Sequence, residues 1–132
     1  MWPLIAHLTG DYVLQNQWMA DQKTKRWLPA ALHALLYGLP FLLLVESWQA
    51  WVVIVATHAL IDRYRLARLW VEFWGVGFWP TRIGRAVAKT QGDDPLAAGS
   101  QSPPAFLSVW LLIIVDNCWH LTINQLAIEW LR

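Results

Sequence analysis

Three pairs of residues carry the chemistry in this 132-residue sequence: His7 and Asp11, His58 and Asp62, and Asp116 and His120. Each pair is four residues apart, which on a helix places both side chains on one face, one turn apart and within reach of a common ion. Chance would give three of the four histidines such a partner on the order of a few times in a thousand. The same step extends the stripes to Gln15 beyond Asp11 and to Asn124 beyond His120. His33 stands without an Asp partner and reads equally as a packing histidine or a ligand. Imidazole and carboxylate donors suit zinc, iron or manganese. We expect a divalent metal site, zinc first, built from His7, Asp11, His33, His58, Asp62, Asp116 and His120. Seven donors exceed one tetrahedral shell, so the spacing leaves open two bridged ions, or one ion with the remaining aspartates orienting the histidines.

Elements must bring these residues together. The chain is 57% hydrophobic and only 14% charged, with eleven Trp, the side chain that settles at membrane–water boundaries. Its formal charge of +1 gives no field to attract a polyanion, so no nucleic-acid partner is expected. A single cysteine, Cys118, excludes an intrachain disulfide and any multi-cysteine zinc site, and its angle from Asp116 assigns it to packing. The run from Trp27 to Val45 has no Asp, Glu, Lys or Arg over nineteen residues, roughly 28 Å of helix against a core of about 30 Å. The pattern predicts an all-α, polytopic four-helix membrane bundle with helices at about 3–22, 28–45, 48–74 and 104–130, forming one domain over 1–132. Pro40 should kink the second helix. Residues 75–104 read as an interfacial segment and a cytoplasmic loop. Lys23, Lys25 and Arg26 after the first helix, with Arg63, Arg65, Arg68, Arg82, Arg85 and Lys89 after the third, put those loops in the cytoplasm and both termini on the opposite face, giving a multi-pass membrane protein.

In that topology helical rise sets His7 and His120 roughly 10 Å from the outer boundary, Asp11, His58 and Asp116 roughly 15 Å, and His33 and Asp62 roughly 21 Å. All seven fall in the central slab. The cations nearest the aspartates along the chain, Arg63 and Arg65, lie at the boundary, so Asp–Arg or Asp–Lys pairing is expected to be minor. The tryptophans read as boundary anchors and filler, and the basic 63–89 stretch as a face laid against anionic headgroups.

At HLTGDYVLQNQWMADQK, LHALLYG, THALIDRYRLAR and DNCWHLTIN the chain resembles an uncharacterised family of small multi-helix membrane proteins of bacteria and their phages, a domain of unknown function. It is also distantly similar to membrane-bound metal-dependent hydrolases of bacterial inner membranes. The two resemblances imply a polytopic membrane protein with the seven His and Asp residues as its polar centre, and neither supplies a substrate.

The expected activity is metal-dependent hydrolysis of a lipid, a polyprenyl phosphate or a membrane peptide, with Asp11 or Asp62 as general base and Gln15, Asn16, Asn117 and Asn124 touching substrate. Two alternatives come from other classes. One is a metal or proton conduit, and the other is a structural metal fastening short helices in a protein that acts through partners. Membrane lipids are the expected surroundings, and self-association is left open.

Overall fold

The computed structural model describes residues 1–74 and 105–131, all of the regular elements there being helical. The expected interfacial segment and loop at 75–104 lie outside the described residues. The elements are α1 (Trp2–Leu8), a π-helical turn (Thr9–Val13), α2 (Gln17–Gln22), α3 (Trp27–Gly38), a 3-10 turn (Pro40–Leu43), α4 (Trp48–Tyr64), α5 (Leu66–Trp74) and α6 (Ala105–Trp130). They fall into two compact units, Met1–Leu66 with Cys118–Arg132, and Ala67–Asn117.

The sequence predicts four continuous helices, and the structure breaks three of them. The first opens into the π turn and then stops, because Asn16 adopts an extended conformation and its side chain accepts a hydrogen bond from the Met19 amide at 2.9 Å, starting α2 afresh. The second ends at Gly38 and tightens into a 3-10 turn at Pro40, whose ring cannot continue an α-helical ladder. The third is capped at its start by Ser47, which accepts from the Ala50 amide at 3.2 Å, and is interrupted at Arg65, which adopts φ 53° and ψ 47°. That left-handed conformation costs an L-residue roughly 1–2 kcal/mol, and no glycine in the sequence announces it. Among the described residues one helix, over Val109–Trp130, is long and apolar enough to cross a membrane.

In the first unit α3 divides into a small and polar stripe and a leucine stripe. Along α3 the inward stripe holds Ala30, His33, Ala34, Tyr37 and Gly38, and the outward stripe holds Leu28, Leu32, Leu35 and Leu39. The segment of α6 belonging to this unit turns His120, Asn124 and Ala127 inward, again at helical spacing. Small residues let the helices approach. A Cβ at Gly38 would meet the Val55 and Trp51 side chains of α4, and Trp51 Nε1 donates to the Gly38 carbonyl at 2.8 Å. A small apolar core of Ala6, Tyr37, Phe41, Ile54 and Ala127 closes one side of the polar interior. Trp2, Trp18, Trp27, Trp48 and Trp130 are exposed. So is Cys118, which corrects the expectation that it packs.

The second unit contributes α5 and the first part of α6 to the described residues. Within it Arg68 Nε donates to Glu72 Oε1 at 2.8 Å, one helical turn apart, which neutralises the buried Glu72.

Candidate metal centre

Four buried side chains from three separate parts of the chain converge in the first unit. The π turn delivers Asp11, α3 delivers His33, and α4 delivers His58 and Asp62 from one face. One donor atom from each lies within 4.8 Å of all the others. His33 Nε2 is 3.2 Å from Asp11 Oδ1 and 3.2 Å from Asp62 Oδ2. His58 Nε2 is 3.9 Å from Asp11 Oδ1, 3.3 Å from Asp62 Oδ2 and 2.9 Å from His33 Nε2. A tetrahedral ion with bonds of about 2.0–2.1 Å separates its donors by about 3.3–3.4 Å, so these separations straddle the edge length of such a shell.

The crowding is greatest at His33 Nε2, which has four polar atoms within 3.2 Å: Asp11 Oδ1, Asp62 Oδ2, His58 Nε2 and Lys23 Nζ. An imidazole nitrogen can donate one hydrogen or accept one, so a single hydrogen bond satisfies one of these approaches, and the Lys23 ammonium is the one cation among them. Two imidazole nitrogens and two carboxylate oxygens are a chemically suitable donor set for a divalent ion. These buried His and Asp groups could hold a metal ion.

Lys23 is the residue the sequence reading missed. Its Nζ lies 2.7 Å from Asp62 Oδ2 and 3.7 Å from Asp11 Oδ1, so an ammonium group pairs with both aspartates. This corrects the expectation that Arg63 and Arg65 are the nearest cations. Arg63 acts at one remove. Its Nη1 donates to the Thr24 carbonyl at 2.5 Å and its Nη2 to the Lys25 carbonyl at 3.1 Å, and its guanidinium stacks over Trp27. In this way the end of α4 fixes the 23–26 turn and aims Lys23 inward.

The remaining predicted site residues take other positions. Nδ1 of His58 is 3.2 Å from Nδ1 of His120, whose Nε2 stands 3.5 Å from Asp62 Oδ1. If His58 offers its Nε2 lone pair to an ion, its Nδ1–H donates to His120, which then orients the ring from behind. His7 turns its Nδ1 to the Tyr37 hydroxyl at 2.9 Å, which corrects its expected place among the converging donors. Tyr37 also accepts from Asn124 Nδ2 at 2.5 Å and lies flat on the His58 ring, with centroids 3.6 Å apart and planes 10° apart. Tyr37 therefore positions His58, and Asn124 is tied into that network. Tyr37 follows His33 by one turn on α3, a spacing that was available in the sequence as a signal. Asn16 is used as the α2 cap. Gln15 keeps a buried side-chain oxygen without a hydrogen-bond partner. Asp116 and Asn117 are half-buried and belong to the second unit.

A protein family described as being of unknown function, DUF3307, matches residues 1–79, the stretch that supplies all four converging donors, Lys23 and Tyr37. The chain belongs to this family. No curated protein and no solved structure matches it.

Proposed function

We propose that this DUF3307 member is a membrane-embedded, metal-dependent hydrolase acting on a lipid-like substrate, with zinc as the first choice of ion and iron or manganese as alternatives. The observation that carries the reading is the crowding of four donor atoms, with His33 Nε2 and His58 Nε2 lying 2.9–3.9 Å from one another and from Asp11 Oδ1 and Asp62 Oδ2. A divalent ion in that position supplies a Lewis acid and a water activated near neutral pH. His33 and His58 hold it through nitrogen, Asp11 and Asp62 through oxygen, and His120 and Tyr37 fix the His58 ring. An aspartate oxygen not engaged with the ion is placed to accept a proton from water, and Asp62 Oδ1 is one such oxygen.

Several observations support a membrane setting. The leucine stripe of α3 points outward while its polar stripe points in, α6 has spanning length, and tryptophans stand exposed at the helix starts. We read the short helices α1–α2, α3 and α4 as crossing segments packed on one another, in a multi-pass protein. A second reading, a proton or metal conduit, draws on the continuous series of imidazoles His33, His58 and His120.

The test is elemental analysis of detergent-purified protein together with incubation of lipid extracts. One equivalent of ion per chain is expected, lost in Asp62→Asn and His33→Ala, with lipid turnover abolished by chelation and restored by zinc. Metal-free protein from zinc-supplemented cells would overturn the metal reading. Metal-loaded protein that leaves lipids unchanged but carries protons or metal across proteoliposomes would favour the conduit.

A further inference from the structure

We infer that the metal centre takes the singly charged phosphodiester of a membrane phospholipid, with Lys23 as the residue that binds it. This deepens the metal reading and rests on it.

Charge is the starting point. Asp11 and Asp62 are the buried acids of the first unit, and Lys23 is the cation at their side. Two carboxylates and one ammonium leave the cluster negative by one charge, and a dication reverses that to positive by one. An unbalanced charge in a poorly solvated place is costly, so the loaded centre calls for a monoanion. Once an ion engages Asp62, the Lys23 ammonium loses its 2.7 Å partner and has three N–H donors to offer. Lys23 is the one member of the group with partial access to the surface, its side chain being 16% exposed against 7% and 5% for the two aspartates. The anion therefore meets Lys23 on its way to the ion.

Location selects the kind of anion. The turn carrying Lys23 also carries exposed Lys25 and Arg26 and is bracketed by exposed Trp18 and Trp27. Exposed tryptophan beside clustered basic residues marks the headgroup layer, where lipid phosphates lie. A phosphodiester there carries one negative charge, which matches the deficit. Arg63 holds the turn by its main chain, so Lys23 is presented on a fixed support.

The experiment loads the full-length protein in a phosphate-free detergent with Mn²⁺ and follows ³¹P line broadening of dihexanoylphosphatidylglycerol, with glycerophosphoglycerol as the soluble comparison. Metal content is measured separately on each sample. The lipid resonance is expected to broaden strongly. In Lys23→Met the apparent lipid affinity should fall about tenfold or more, the scale of one charge-assisted hydrogen bond, with Mn²⁺ content at least that of the wild type, and Lys23→Arg should recover most of it. Equal broadening in wild type and Lys23→Met at full metal occupancy would overturn the proposal and leave the metal reading standing. Wild-type protein that takes up no metal would remove both. Broadening of glycerophosphoglycerol equal to that of the lipid would overturn the assignment to a membrane lipid.

Discussion

Gly10→Ala tests whether helix packing and the metal centre are one device. Gly10 sits in the π turn immediately before Asp11, pressed on α3. A Cβ added there would stand 2.7 Å from the Tyr37 carbonyl oxygen, 2.8 Å from Tyr37 Cδ2 and 2.9 Å from Tyr37 Cα. All three are closer than non-bonded atoms come, and two belong to the backbone, so a rotamer change cannot relieve the clash. Overpacking of this kind costs roughly 1–3 kcal/mol, more than the ~1 kcal/mol an alanine gains over glycine in a helix. Net of that gain, up to about 2 kcal/mol of destabilisation lowers the unfolding midpoint by up to roughly 8 °C in a chain of this size. Tyr37 is stacked on His58 at 3.6 Å and holds His7, so moving it also turns a donor ring. Disturbing such supporting contacts weakens metal affinity about 10- to 100-fold. Thermal unfolding in detergent and competition with a zinc-binding dye measure the two effects. An alanine variant as stable as wild type and equally tight for zinc would refute the coupling.

Three further outcomes follow from the same geometry. Lys23→Met removes the ammonium that competes with an ion for Asp62, so zinc should bind about tenfold or more tightly by dye competition, the equivalent of one charge-assisted hydrogen bond of roughly 1.5–3 kcal/mol. Two of the four donors are imidazoles, which bind metal only when neutral, so zinc release measured by equilibrium dialysis should rise progressively on acidification and be absent at pH 8. Asn16→Ala removes the cap of α2 and should cost about 1 kcal/mol in unfolding free energy, while Asn16→Asp should retain most of it.

The sequence exposed the parts of the site that follow helical spacing. His58 and Asp62 lie on one face of an unbroken stretch of α4, and the four-residue rule applies to them directly. His33 had no partner in its own helix, and its role appears only when α3 and α4 pack. His7 and Asp11 are both buried, as the spacing required, yet they face different partners, because a π turn intervenes and one meets Tyr37 while the other meets His33 and Lys23. Lys23 was illegible for a tertiary reason. A basic cluster after an apolar helix ordinarily faces headgroups, and only the Arg63 clamp on the Thr24 and Lys25 carbonyls turns this lysine inward. The break at Arg65 was likewise hidden, since an arginine in a left-handed conformation has no signature in composition.

The proposed membrane setting, with the leucine stripe of α3 facing lipid, accounts for so many chemical groups inside so small a unit. When the outward stripe is leucine and the surroundings are apolar, burying apolar surface contributes little to holding the helices together, and close backbone approach and polar contacts take over. Gly10 on Tyr37, Gly38 on Trp51, and Ala30 and Ala34 along α3 supply the approach. The Tyr37 hydroxyl, joined to His7 and Asn124, and the Ser47 hydroxyl, which caps α4 and donates to the Leu131 carbonyl, supply the polar ties. The four-donor cluster is the place where these ties leave charge and lone pairs in excess. Without an ion, Lys23 offsets part of that excess from the rim. On the proposed reading a dication offsets it from the centre, and the lysine then binds the anion that the altered charge calls for.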